Sequence, residues 1–128
     1  MMLTLVSCES YKGDLGAKQI FNFEVKADDW TEITDNDGLN RYYRCGFKLK
    51  NFHPGTSFKR RAVLAYINFG EYEQPLPYIR HYENAAGELW TRTIDFDYSS
   101  DEINFYVTNS DFAREIPEKM HFRVMFIW

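Results

Sequence analysis

Asp95 and Asp97 stand two residues apart in the run from Leu89 to Tyr98, where Trp90, Ile94, Phe96 and Tyr98 alternate with Thr91, Thr93, Asp95 and Asp97. Alternation at period two places both carboxylates on one face of a strand. Two carboxyls about 5 to 10 Å apart can hydrolyse a glycosidic bond if they flank it in a cleft and one is held protonated. Residues i and i+2 of a strand lie about 7 Å apart, so the spacing permits that chemistry. Thr91 and Thr93 continue the same polar face, however. A solvated sheet surface explains the pattern more simply, and a small hydrolase is the least favoured of the functions considered.

Other catalytic constellations are weaker still. His53, His81 and His121 are the three histidines. None belongs to a Cys/His cluster or a His-x-x-x-His pair, the spacings that hold zinc. His53 falls in a Pro-Gly loop, and His81 and His121 fall at the polar phases of strands. Asp35, Asp37 and Asn40 in "DNDGLN" offer oxygens to calcium. If Asp37-Gly38 took the central turn of an EF-hand loop, its first and last ligand positions would fall on Ile33 and Arg44, which cannot serve. A hairpin turn accounts for Asp37-Gly38 without metal. There is no G-x-S-x-G elbow and no glycine-rich phosphate loop. The expectation is therefore a chain with no catalytic residues, no metal and no cofactor.

The aromatic content points elsewhere. Eleven Phe, nine Tyr and three Trp make up 18% of the chain. Tyr66, Tyr72, Tyr78, Tyr82 and Tyr106 fall at polar phases or in loops. Exposed rings stack on the apolar faces of sugars, and exposed apolar patches mark binding surfaces. Tyr72, Tyr78, Tyr82 and Trp90 are accordingly the candidate ligand-binding residues. The plainer reading, which the sequence favours, is a second packing layer of tyrosines that cover the sheets and keep their hydroxyls wet.

The two cysteines differ in setting. Cys45 lies inside the alternating run "YYRCGFKLK" and reads as a buried, inert thiol, unpaired with Cys8. Cys8 follows Leu5, Val6 and Ser7. Leu-x-x-Cys with a small residue before the cysteine is the pattern at which bacterial lipoproteins are cut and acylated. The apolar run before it is only Met1 to Val6, with no positive segment ahead. The expectation is that the signal begins upstream of this start, and that Cys8 is the lipid attachment site. Glu9 to Lys18, with "KGDLG" spacing Gly13 and Gly16 three apart, then reads as a stalk. Residues 1–18 are expected to be a signal remnant and stalk, and residues 19–128 the folded domain.

That domain reads as β throughout. Phe21, Phe23 and Val25 alternate with polar residues, as do Tyr43, Cys45, Phe47 and Leu49. "AVLAYINF" is a continuous apolar run, expected as a central strand buried on both faces. "GEYEQPLP" reads as a turn, and Pro75 and Pro77 push "PYIRHY" to a sheet edge. Leu89 to Tyr98, then Ile103 to Val107, then Met120 to Trp128 complete the set, with Arg92 interrupting an apolar face near the sheet rim. "NSDFAREIPEK" has room for one helical turn before Pro117. About seven short strands without a long helix predict an all-β, antiparallel β-sandwich, with a barrel as the alternative.

Composition narrows the partners. A formal net charge of −4 argues against nucleic acid. The compact basic run Lys59-Arg60-Arg61 reads as a solvated loop guarding the apolar strand after it. No segment reaches the roughly 20 apolar residues that a membrane-spanning helix needs.

Several stretches also resemble a known group. "QPLPYIRHYENAAGELWTRTIDFDYSSDEINFYVTNSDF", with "DDW", "RYYRCGF" and the closing "MHFRVMFIW", is similar to a group of small Bacteroidetes lipoproteins. Members carry a lipobox, a short collagen-like piece such as "KGDxG", and an all-β domain of about this size. The likeness covers nearly the whole chain from Cys8 onward. It implies a lipid-anchored location in the cell envelope, as an outer-membrane lipoprotein, and it implies no reaction. The leading expectation is a non-catalytic envelope module with a structural or interaction role, whose partners are a membrane through Cys8 and an envelope protein or glycan. A glycan-binding module using the exposed aromatics is the alternative.

Overall fold

The structure is a computed structural model that describes residues 18–49 and 62–127. Cys8, the stalk, His53, the Pro54-Gly55 loop, the Lys59-Arg60-Arg61 run and Trp128 lie outside the described residues.

Nine strands are present among the described residues: β1 (Lys18–Val25), β2 (Thr31–Thr34), β3 (Arg41–Lys48), β4 (Ala62–Phe69), β5 (Tyr72–Pro75), β6 (Tyr78–Glu83), β7 (Leu89–Tyr98), β8 (Glu102–Asn109) and β9 (Met120–Ile127). They form two sheets, ordered β1-β9-β4-β5 and β2-β3-β8-β7-β6. Every pairing is antiparallel. The sheets keep separate edges at β1, β5, β2 and β6, so the fold is a sandwich and not a barrel.

Period-two patterning builds the layers. In β8, buried Ile103, Phe105, Val107 and Asn109 alternate with more exposed residues, and in β9 Met120, Phe122, Val124 and Phe126 do the same. Each strand turns that apolar row toward the opposite sheet. At the centre, the rings of Phe105 and Phe122 stack at 4.0 Å and 10°. Phe23 reaches across the sandwich to Phe47 (4.6 Å) and Phe105 (5.6 Å). Cys45 lies in this core as a free thiol, in the inward phase that its neighbours predicted. Burial pushes the thiol up to about 11.

Four features differ from the sequence reading. β2 and β5 are additional four-residue edge strands, β5 where a turn was expected and β2 in the connection ahead of the Asp37-Gly38 turn. β1 begins at Lys18, which the sequence reading placed in the stalk. β4 is interior to its sheet but is buried on one face only: Ala65 and Ile67 are buried, whereas Leu64 is exposed. Among the described residues no helix covers its outer side, and Leu64 is left exposed. Finally, no helical turn follows β8. Asp111 does accept a local backbone hydrogen bond, from Ala113, whereas the Ser110 hydroxyl accepts from the N–H of Thr91, nineteen residues earlier in β7. Phe112, however, has φ 52, and its carbonyl accepts from Arg41 at 2.9 Å, so the chain leaves the turn extended.

One crossing positions the candidate site. β5 ends an edge of the first sheet, the chain passes through Leu76 and Pro77, and β6 begins an edge of the second. Leu76 is buried and donates its N–H to the Ala65 carbonyl at 2.8 Å, which pins the crossing to β4.

Candidate ligand cleft

Between these two edges the sandwich opens into a cleft of about 440 Å³. Gly70, at φ 81, turns β4 tightly into β5, and Asn68 Oδ1 accepts its N–H at 2.8 Å. The register sets Phe69 opposite Tyr72 and Ile67 opposite Gln74, so these four side chains share a face. On the other wall, Tyr78, Arg80 and Tyr82 share the inward phase of β6. Phe69 and Tyr78 meet across the opening with ring centres 5.4 Å apart. Ile94 and Met120 add apolar lining.

Tyr72, Tyr78 and Tyr82, predicted from exposure phase alone, all line this one cleft. Tyr72 is 72% exposed and Tyr82 36%. Trp90 does not line it. It sits opposite Tyr82 in the β6–β7 register and stacks on that ring at 5.4 Å and 13°. Trp90 thus backs the cleft wall and presents its own side to a shallower surface beside His81 and Ser110.

The polar groups of the cleft were not anticipated as a site. Arg92 is held by several partners: its Nη1 donates to both Glu118 oxygens at 3.1 Å, and its Nε donates to buried Asn109 at 3.2 Å. The Glu118 carbonyl in turn accepts from the Trp30 indole at 3.4 Å. Arg80 Nη1 donates to the Tyr78 hydroxyl at 2.9 Å. Asn68, Gln74, Lys119 and His121 complete the polar lining. Arg92 carried a visible signal, because it interrupts an otherwise apolar strand face. The structure makes it a well-anchored part of the cleft lining; its side chain is only 14% exposed.

Asp95 and Asp97 lie on the opposite, outward face of β7. Asp97 accepts from the Tyr106 hydroxyl at 2.7 Å and from Asn104 at 2.9 Å. Burial, and then the charge of Asp97, raise the Asp95 carboxyl above its ordinary range. Burial and the Asp97 hydrogen bond push Tyr106 up to about 12. These groups lie on the outer sheet face, where Asp95 and Tyr106 border a small depression of about 270 Å³ with Tyr42 and Thr108, and Asp97 is not part of its lining. Tyr66 also behaves as a covering tyrosine, with the Arg123 guanidinium 4.6 Å above its ring. The tyrosines therefore divide: Tyr66 and Tyr106 clothe the sheets, while Tyr72, Tyr78 and Tyr82 converge.

The remaining candidates have local roles. Asp35 Oδ1 accepts the N–H groups of Leu39 and Asn40, and Asn40 Nδ2 bonds the other oxygen, which closes the β2–β3 hairpin around Gly38 at φ 69. His81 lies 3.0 Å from the Thr91 hydroxyl, and His121 lies 4.0 Å from Glu24.

Comparison with protein-family models, curated proteins and solved structures returned no match. The chemistry of the cleft therefore carries the functional argument.

Proposed function

We propose that this chain is a non-catalytic saccharide-binding module of the bacterial cell envelope, tethered by lipid at Cys8. The observation that carries the reading is the convergence of Tyr72, Tyr78 and Tyr82 on one cleft furnished with fixed polar groups. Sugars are amphipathic: their rings offer apolar faces to aromatic side chains, and their hydroxyls take hydrogen bonds at the edges. A cleft of about 440 Å³ falls within the ordinary range for small-ligand sites. Glu118 is the one carboxylate lining it among the described residues, and it is committed to Arg92. Glycoside hydrolysis needs two carboxyls across the scissile bond, so this arrangement favours holding a saccharide over cutting it. The tether follows from the Leu5-Val6-Ser7-Cys8 pattern and from the resemblance of the chain to envelope lipoproteins. Acylation contributes about 0.8 kcal/mol per buried CH₂, enough for several chains on one cysteine to hold a small domain at a membrane.

A glycan array probed with the full chain tests the binding reading. Tyr82→Ala should weaken any array hit about tenfold, as loss of a stacked aromatic anchor does. A blank array, or hits indifferent to both Tyr72→Ala and Tyr82→Ala, would overturn it and leave an envelope module with a structural or protein-interaction role. For the tether, the gene is expressed in a related host behind a complete export signal and labelled with radioactive palmitate. Label should appear in the parent and be missing from Cys8→Ala; label missing from both would remove the anchor.

A further inference from the structure

The charges of the cleft distinguish among saccharides. Six arginines lie among the described residues, and five of them pair with carboxylates: Arg41 and Arg114 with Glu32, Arg44 with Glu102, Arg92 with Glu118 and Arg123 with Glu73. The sixth is Arg80, which lines the cleft. Its side-chain partner among the described residues is the neutral Tyr78 hydroxyl, so most of its guanidinium donors remain for a ligand. Lys119 lines the same cleft and forms no ion pair among the described residues either. Because Arg92 and Glu118 neutralise each other, the cleft keeps two uncompensated cations in a chain whose net charge is −4. The acidic chain as a whole repels anions, so an anion is attracted only where the local field reverses sign. A guanidinium beside aromatic rings is suited to a planar or tetrahedral oxyanion, which it binds through two parallel hydrogen bonds.

We propose that the cleft takes an anionic saccharide, whose carboxylate or sulfate is received by Arg80 with Lys119 as a second positive charge, while Tyr72 and Tyr82 contact the sugar ring. This rests on the saccharide reading above and adds the class of sugar to it.

Matched probes test the two claims separately. The full chain is titrated by calorimetry with a galacturonate trisaccharide and its methyl ester, and with sulfated lactosamine and its unsulfated form. The expected result is that one charged probe binds at least about tenfold tighter than its neutral counterpart. Which pair shows the preference tells carboxylate from sulfate. The preference should shrink with added salt. Arg80→Gln should reduce the charged probe to the affinity of the neutral one without moving the thermal midpoint, because Arg80 is exposed. Tyr82→Ala should weaken both members of the pair. Equal binding of charged and neutral forms would overturn the anionic proposal and leave the saccharide reading standing. Binding of no probe here, together with a blank array, would overturn both.

Discussion

Removing residues 120–128 should abolish folding. β9 lies between β1 and β4, and among the described residues it is the only strand that pairs with β1. Its inward row, Met120, Phe122, Val124 and Phe126, is between 0% and 4% exposed. Full burial of each such side chain is worth about 1.5 to 3 kcal/mol, so the row as a whole contributes about 6 to 12 kcal/mol. An entire domain of this size is stable by only about 5 to 15 kcal/mol. The loss therefore rivals the total, before the open backbone of β1 and β4 is considered. Circular dichroism during heating and urea titration reads the outcome. The truncated chain should show no cooperative transition and little near-ultraviolet signal. A truncated chain that melted cooperatively within a few degrees of the parent would refute the assignment of β9 as the centre of its sheet.

Phe122→Ala is the graded version: the Phe105 stack and full burial predict a loss of about 3 to 5 kcal/mol by urea titration, whereas Ile79→Ala, on the exposed edge, should stay within about 0.5 kcal/mol. Equal costs at the two sites would contradict the core described here. Asp95 is raised in the folded chain by burial and by Asp97, so its ionisation opposes folding; stability attributable to it falls as pH rises through that raised value and stays lost at neutral pH. Asp95→Asn should thus melt higher than the parent at neutral pH, and the gain should vanish below the ordinary Asp range; a gain that grew on acidification would reverse the argument. Cys45, with its thiol raised to about 11 by burial, should react with a bulky disulfide reagent at mildly alkaline pH only as fast as the chain unfolds. A fast stoichiometric reaction in the folded state would place it at the surface.

Five of the nine strands, β1, β3, β7, β8 and β9, are legible from alternation, because each turns a row of apolar residues to the core; β4 is legible from its continuous apolar run, and β6 only from the prolines and turn that bound it, since every residue of it but Tyr78 is exposed. β2 and β5 escaped for a shared reason. "TEIT" and "YEQP" are four-residue edges, and every residue of β5 is exposed, so neither carries an apolar row. Their strand character comes from pairing with β3 and β4, which is tertiary information. The missing helical turn after β8 has a similar cause. Asp111 makes a local bond to Ala113, but the Ser110 hydroxyl is taken by Thr91 of β7, and Arg41, far away in sequence, fixes the Phe112 carbonyl. Of the site, the tyrosines could be anticipated because exposed aromatics stand out against a polar phase. Arg80 could not. Its significance is that it lacks a carboxylate partner where the other described arginines have one, and partnership is visible only once strands are placed side by side.

The crossing at Leu76 and Pro77 has a consequence for how such a domain diversifies. Tyr72, Gln74, Tyr78, Arg80 and Tyr82 fall within one continuous stretch of sequence, and Leu76 is the one buried core residue inside it. The core itself is supplied mainly by β3, β8 and β9. Most of the exposed recognition residues are thereby written in one short stretch, while β7 and the approach to β9 supply Arg92, Glu118 and Lys119 as the fixed floor of the cleft. A lineage can rewrite the exposed residues of 72–82 against that fixed floor while leaving the packing of Phe105 and Phe122 untouched.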